Sequence, residues 1–104
     1  MKIPNVIEAL VAAQNGSDSE KYANTFSETA VVFDEGKTHR GRKEIKAWIE
    51  KANQQYSAKM KPLEYSAELN TLKSEISGTF PGSPLVLTYH FEIEDDKISS
   101  LRII

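Results

Sequence analysis

The chain has 104 residues, of which 39% are hydrophobic and 27% are charged, and its formal net charge is −2. This length suits one hydrophobic core, so we take residues 1–104 as a single domain. The weak negative charge and the dispersed basic residues argue against nucleic-acid binding. No stretch approaches the ~18–20 apolar residues of a membrane span. The chain has no cysteine, which excludes disulfides and thiolate chemistry and leads us to expect a cytoplasmic protein.

The N-terminal segment has the apolar spacing of helices. Asn15-Gly16 ends a first helix, and Ser17 followed by Glu20 forms a capping-box pattern that begins a second, short one. Tyr22 and Phe26 are spaced to share one face of that second helix. The apolar residues on one face of the first helix are Ile3, Val6, Ile7, Leu10 and Val11.

The middle of the chain combines a strand, a polar loop and a long helix. After Ala30, the next three residues, 31–33, are β-branched or aromatic. They predict an isolated strand that ends at Asp34. A polar loop containing His39 follows, and Gly41 is an acceptable start for the helix. The apolar stripe of this helix is Ile45, Trp48, Ile49, Ala52 and Tyr56.

From Leu63 onward the hydrophobic period changes to two, which is typical of half-buried strands. The clearest strand places Leu85, Leu87, Tyr89, Phe91 and Ile93 on one face. Leu63, Tyr65, Ala67 and Leu69 form a similar inward face in an earlier strand. We therefore predict an α+β fold: a curved, mostly antiparallel sheet of four to five strands wrapped around the long helix, with two further helices at the N-terminus.

Several segments together resemble a known family. They are FSETAVVFDEG, HRGRKEIKAW, GTFPGSPLVLTYHF and DKISSLRI, in the order helix, helix, strand, helix and four strands. This pattern is similar to the SnoaL-like branch of the nuclear transport factor 2-like superfamily, over almost the whole chain. The resemblance implies a cone-shaped fold with a pocket between sheet and helix. It does not imply one function, because the superfamily includes isomerases, cyclases, dehydratases, transport factors and proteins without known activity.

Asp34 is the leading candidate for a catalytic residue. It shares a strand face with Val32, so its carboxylate is expected beside apolar groups, where partial desolvation raises a pKa toward the range useful for a general base. The resemblance places it where ketosteroid isomerases keep their proton-transfer aspartate. The alternative is a turn residue that caps its own backbone in Asp34-Glu35-Gly36.

Tyr89 and His39 are the candidates for a second catalytic group. The resemblance puts Tyr89 near the position where ketosteroid isomerases hold a protonated aspartate against the developing oxyanion, and a phenol can donate a similar hydrogen bond. His39, in its loop near the pocket mouth, is the other possible donor. The tyrosine that those isomerases carry on the first helix is missing, because residues 9–11 have no donor, so steroid isomerisation is not expected. The alternative for Tyr89 is a core aromatic residue.

Aromatic and aliphatic residues supply the predicted pocket wall, although such residues also form ordinary core. The ligand-binding candidates are Tyr22, Phe26, Val32, Trp48, Tyr65, Phe80 and Leu87. Trp48 stands out because a buried indole N–H needs a partner. Two distant histidines and no cysteine offer no metal ligand set, and no phosphate-binding or dinucleotide motif is present. We therefore expect neither metal nor cofactor.

Three functions remain open on the sequence alone. The first is a protein that binds a small apolar molecule. The second is a cofactor-free isomerase, cyclase or dehydratase in which Asp34 removes a proton from a carbonyl compound. The third is an interaction protein whose cavity is filled by its own side chains. In each case we expect a homodimer formed through the outer sheet face around Val86, Thr88 and His90.

Overall fold

The computed structural model describes residues 2–104. Three helices come before or between the first strands, and four consecutive strands complete the chain. The helices are α1 (Asn5–Asn15), α2 (Ser19–Asn24) and α3 (Gly41–Tyr56). The strands are β1 (Phe26–Asp34), β2 (Lys37–Arg40), β3 (Lys59–Ser66), β4 (Thr71–Ser77), β5 (Leu85–Glu94) and β6 (Lys97–Ile103).

The six strands form one sheet in the order β2-β1-β6-β5-β4-β3. Strands β3 to β6 form an antiparallel meander, and β1 and β2 form a hairpin through a turn at Glu35-Gly36. The only parallel pairing within residues 2–104 joins β1 to β6. This pairing places β1, with Asp34 at its end, next to β6 and one strand away from β5.

The strand register arranges the inward-facing side chains in rows across the sheet. Val32 pairs with Leu101, and Leu101 pairs with Phe91, so one row is closed apolar core. One step along the strands, Asp34 comes level with Ile103, which pairs with Tyr89. Further along, Leu85, Ile76 and Met60 form the last row. Since side chains alternate between faces, the rows point to the same side as α3.

The helices cover this inward face. Ile7 and Leu10 of α1, Tyr22 of α2 and Ile45 of α3 are fully or almost fully buried against the sheet. Helix α3 begins at Gly41, whose φ is +82°. Its first turn is closed by Glu44, whose carboxylate accepts the Arg40 backbone N–H at 2.9 Å. The α+β class, the three helices and the apolar stripe of α3 are confirmed.

The structure corrects five details of the predicted fold. The sheet has six strands rather than four to five, because the segment predicted as a polar loop around His39 pairs with β1 as strand β2. Strand β1 is therefore not isolated, because it pairs with β2 on one side and with β6 on the other. Phe26 begins β1 instead of extending α2.

The remaining corrections concern side chains. Leu63 and Leu69 are 46% and 71% exposed, because the pairing of β3 with β4 shifts between Pro62 and Glu64 and interrupts the alternation, and Leu69 lies in the following turn. The cap of α2 is Asp18, whose carboxylate accepts the Lys21 N–H at 3.0 Å, and not Ser17.

Candidate active site

A cavity of about 670 Å³ lies between α3 and the curved sheet. Its length follows from its walls. On α3 it extends from Trp48 to Tyr56, a rise of about 12 Å at ~1.5 Å per residue. On β5 it extends from Tyr89 to Leu85, which is about 13 Å at ~3.4 Å per residue. The cavity is therefore elongated along both elements and large enough for a small organic molecule.

Asp34 lies at one end of this cavity, on the last residue of β1. Burial raises the pKa of its carboxyl group above the ordinary value, and the negative charge of Glu35 raises it further. Hydrogen bonding by the Glu35 backbone and by the Trp48 side chain lowers the same pKa in part. The carboxylate is thus a stronger base than a solvated one, while a few donors still support its ionised form.

Two phenols line the same end. Tyr89 comes from β5 and Tyr22 from α2, and both side chains are at least 94% buried, with relative exposures of 6% and 1%. Burial raises the pKa of both phenols, and the charge of Asp34 adds to this in each case. Both groups therefore remain protonated hydrogen-bond donors. Neither phenol oxygen has a protein hydrogen-bond partner within residues 2–104.

The sheet register explains why Asp34 and Tyr89 meet. Asp34 lies one residue beyond the Phe33–Arg102 pair, level with Ile103, and Tyr89 pairs with Ile103 on the other side. Adjacent strands lie about 4.8 Å apart, so the two Cα atoms are separated by about 10 Å. Both side chains point toward α3 and converge above Ile103, which itself lines the cavity.

Trp48 closes this end of the cavity from α3 and is held by two rings. The imidazole of His39 stacks on the indole with ring centroids 5.2 Å apart, and Tyr22 meets it edge-on at 6.1 Å. His39 pairs with Val32 across the hairpin and so faces the same side of the sheet. Burial lowers the pKa of His39 and favours the neutral ring. His39 does not line the cavity, which corrects the expectation of a loop histidine at its mouth.

The predicted wall residues divide into two groups. Tyr22, Trp48, Phe80 and Leu87 line the cavity. Phe26, Val32 and Tyr65 do not: Phe26 and Val32 are fully buried in the core behind it, and the Tyr65 hydroxyl donates to Asn70 at 2.6 Å near the outer edge of the sheet. The expectation that these three line the pocket is wrong. Phe26 and Val32 belong to core that the helices cover, while Tyr65 shares the row of Leu72 and Tyr89 but lies on the edge strand β3, with its hydroxyl bound to Asn70.

Several lining residues were not predicted from the sequence. The polar ones are Gln14, Glu35 and Asn53, and the remainder are Ile49, Ala52, Tyr56, Ala58, Met60, Ile76, Pro81, Leu85, Ile103 and Ile104. Gln14 is 5% exposed. It had a sequence signal, since it continues the buried series of Ile7 and Leu10 at helical spacing. The others lie on the inward faces of strands and of α3 or, for Glu35, Ala58, Pro81 and Ile104, in the segments next to them.

A second depression, of about 880 Å³, lies on the surface between α1, α2 and the β5–β6 turn. Its polar groups are already used to close elements of the fold. Asp18 caps α2, and the Lys97 ammonium donates to the carbonyl of Asn24 at 2.9 Å. Its volume is larger than that of the inner cavity, but the inner cavity is the one lined by Asp34, Tyr22 and Tyr89, whose pKa values are raised by burial, so the cavity at Asp34 is the candidate site.

Within residues 2–104, no group of three or more His, Cys, Asp or Glu side chains is arranged to hold a metal ion. In the same part of the chain, every helix falls short of the length and apolarity needed to cross a bilayer.

The chain is similar to several solved structures. A candidate polyketide cyclase from Sinorhizobium meliloti is 35% identical, with 98% of this chain and 95% of that chain covered and a TM-score of 0.91. An uncharacterised cystatin-fold protein from Novosphingobium aromaticivorans is 17% identical, with coverage of 100% and 98% and a TM-score of 0.82. These likenesses agree with the cone-shaped fold.

A protein of ketosteroid isomerase-like fold from Catenulispora acidiphila, solved in complex with trimethylamine, is 18% identical, with coverage of 99% and 86% and a TM-score of 0.79. The comparison with curated proteins gave no match. The family model of the SnoaL-like domain matches residues 7–101, nearly the entire length. The chain therefore belongs to the SnoaL-like family, within the nuclear transport factor 2-like superfamily.

Proposed function

We propose that this protein is an enzyme that removes a proton from the carbon next to a carbonyl group of a small, mostly apolar substrate, with Asp34 as the general base. The observation that carries the proposal is the position of the Asp34 carboxylate, at one end of an apolar cavity and facing two buried phenols. A carboxylate with a raised pKa beside protonated donors has the groups that enolate chemistry needs.

The proposed step needs no cofactor. An oxygen of Asp34 takes the proton, and the electron pair of the broken C–H bond moves toward the carbonyl oxygen, which becomes an enolate. In a β,γ-unsaturated ketone the enolate extends over the C=C bond, and return of the proton from Asp34 to the far carbon gives isomerisation. In a substrate with a second carbonyl, the enolate carbon attacks that carbonyl, its C=O π bond opens to an alkoxide, and Asp34 returns the proton to the alkoxide oxygen, which gives cyclisation. Both outcomes use the same base and the same stabilised oxyanion.

Tyr22 and Tyr89 are the proposed donors to the enolate oxygen. Their raised pKa values keep both phenols protonated at neutral pH, and neither is used by another protein group within residues 2–104. Removal of one oxyanion donor typically costs ~3–4 kcal/mol of transition-state stabilisation. Tyr22 supplies, from α2, the second donor that the residues of the first helix lack. It takes the place that we had considered for His39, which instead orients Trp48.

Trp48 and the aliphatic wall have a binding role in this proposal. The cavity surface is mainly apolar, so a hydrophobic substrate displaces water and leaves the carboxylate in a less polar medium. The similarity to a candidate polyketide cyclase supports a carbonyl substrate, because a polyketide chain carries several carbonyl groups that can form enolates and close rings.

The test uses the ketone 2-tetralone, whose α protons exchange with deuterium from D2O once a base removes them. Proton NMR measures the exchange, and quenching of Trp48, the only tryptophan, measures binding. We expect the wild-type protein to accelerate exchange. Asp34→Asn should reduce exchange to the background rate while affinity changes by less than about threefold. Glu28→Gln, an exposed carboxylate on the same strand, is the matched control and should retain the wild-type rate.

Other outcomes of the same experiment have definite meanings. Binding of 2-tetralone without accelerated exchange would replace the enzyme with a small-molecule-binding protein. Exchange that persists in Asp34→Asn would remove Asp34 as the base. If 2-tetralone does not bind at all, the proposal for this class of substrate fails.

We also propose that two copies associate through the outer face of the sheet. Val86 and Phe33 are 54% and 42% exposed on that side. Thr88 and His90 share the outer face of β5 with Val86. Exposed apolar side chains between polar ones are typical of interfaces, and sedimentation velocity measures the association directly.

A further inference from the structure

A pair of amides lines the cavity away from Asp34. Gln14 on α1 donates through Nε2 to Oδ1 of Asn53 on α3 at 2.9 Å and to the carbonyl of Ala58 at 2.8 Å. These two bonds use both N–H groups of Gln14. Gln14 is 95% buried, with a relative exposure of 5%, and both amides line the cavity.

One acceptor and one donor of this pair remain unused. Oε1 of Gln14 and Nδ2 of Asn53 have no hydrogen-bond partner within residues 2–104. The only fully enclosed polar side-chain atom without a partner in the same range is Oγ of Ser74. The free atoms of the amide pair are therefore not fully enclosed, and the two residues that carry them line the cavity. A buried polar group without a partner is costly, and a bound molecule can satisfy both atoms at once.

The helix geometry gives the distance of the pair from the catalytic end. Asn53 follows Trp48 by five residues, which is a rise of about 7.5 Å along α3. Trp48 is level with the carboxylate of Asp34, to which its side chain contributes a hydrogen bond. A molecule whose carbonyl lies at Asp34 and Tyr89 therefore reaches the amide pair with a group on its opposite side.

The charge of the lining indicates the chemistry of that distant group. Among the described residues that line the cavity, two are acidic, Asp34 and Glu35, and none is Lys, Arg or His. A carboxylate or phosphate on the ligand would lack a counter-charge in this apolar space. A hydroxyl, ketone or amide group can accept from Nδ2 or donate to Oε1 without bringing a charge into the cavity.

We propose that the Gln14–Asn53 pair is a second polar subsite, which binds an uncharged hydroxyl, carbonyl or amide group about 7–8 Å from the reacting carbonyl. The substrates are then elongated, neutral molecules with oxygen or amide functions at both ends. This proposal rests on the proposed function, which places the reacting carbonyl at Asp34. The amide pair then determines which ketones bind tightly.

The experiment compares two ketones that differ in one hydroxyl. In 6-hydroxy-2-tetralone the hydroxyl lies across the ring system from the carbonyl, while 2-tetralone lacks it. Isothermal titration calorimetry on the full chain gives both dissociation constants. One uncharged hydrogen bond contributes ~0.5–1.5 kcal/mol, so we expect the hydroxylated ketone to bind about 2- to 12-fold more tightly. The 8-hydroxy isomer, with its hydroxyl near the carbonyl, should show no such gain.

Asn53→Leu should bring the ratio of the two dissociation constants close to one. The ratio separates binding of the hydroxyl from any general loosening of α3, because loosening affects both ketones alike. Gln54→Ala, at an exposed neighbouring position on the same helix, should leave the ratio unchanged. A wild-type ratio near one, or a ratio that survives Asn53→Leu, would overturn the subsite.

The two proposals fail in different ways. Absence of a hydroxyl preference in the wild-type protein, with normal deuterium exchange, would disprove the subsite and leave Asp34 as the base. A hydroxyl preference that depends on Asn53, without any exchange, would support the subsite and disprove the catalytic step. If neither ketone binds, both proposals fail for this substrate class.

Discussion

Filling the cavity should stabilise the protein, and Ala52→Leu tests this directly. Ala52 lies on the cavity face of α3 and is only partly buried. Leucine adds three carbon atoms, worth about 0.8 kcal/mol each when fully buried, or about 2.4 kcal/mol together. Because the cavity remains partly open to solvent, we expect about half of this, roughly 1 kcal/mol. Alanine and leucine have similar helix propensities, so the backbone contributes little.

The matched control is Ala23→Leu. Ala23 is also helical but is 3% exposed within the packed core and does not line the cavity. Extra atoms at a packed site typically cost ~1–3 kcal/mol. The two variants carry the same substitution and should change stability in opposite directions.

Thermal unfolding followed by circular dichroism measures both effects. For a domain of this size, 1 kcal/mol corresponds to about 4–8 °C in Tm, so Ala52→Leu should melt about that much higher than the wild type and Ala23→Leu lower. Ala52→Leu should also weaken the binding of 2-tetralone, because it occupies ligand space. If Ala52→Leu destabilises the fold as much as Ala23→Leu, the space beside α3 is not empty in solution and the proposals for this cavity lose their basis.

Two further predictions concern Asp34 and Ser74. Deuterium exchange should increase with pH through the raised pKa of Asp34, because only the carboxylate accepts a proton. The folded protein also binds this proton more tightly than the unfolded chain, so ionisation of the Asp34 carboxyl lowers the free energy of unfolding as pH rises. Asp34→Asn should therefore be more stable than the wild type near neutral pH, and this difference should disappear under acidic conditions. Denaturant titrations at both pH values measure it. Ser74→Ala should raise stability by about 1 kcal/mol, since its fully buried hydroxyl has no partner within residues 2–104 and such groups cost ~1–3 kcal/mol. The exposed Ser77→Ala is the control, expected within about 0.5 kcal/mol of the wild type; a clear loss in Ser74→Ala would mean that the hydroxyl is satisfied.

The parts of the fold that depend on local periodicity were predictable. The inward face of β5, with Tyr89 and Phe91, follows from strict alternation, and the stripe of α3 follows from helical spacing. Strand β2 was missed because Lys37–Arg40 is short and polar. Such a segment becomes a strand through the hairpin with β1 and not through its own propensity.

The candidate site was predictable only in part, for a related reason. Asp34, Tyr89 and Trp48 stand out because each departs from an apolar pattern or carries a polar group within one. The parallel pairing of β1 with β6 depends on contacts between distant parts of the chain, so no local pattern indicates it. Gln14 continues the helical spacing of Ile7 and Leu10, but the sequence does not indicate its partner, and Asn53 cannot be distinguished from a surface position of α3 without the fold.

The persistence of the cavity has a structural cause, because α3 is held at two points along its length. At its middle, Trp48 stacks on His39 of β2, and five residues later Asn53 accepts a hydrogen bond from Gln14 of α1. Between these two contacts, Ile49 and the small Ala52 line the cavity. The helix cannot settle onto the sheet between them without breaking one of the contacts. The same side chains that keep the hollow open also carry its polar groups, so stability and ligand preference should change together when they are replaced.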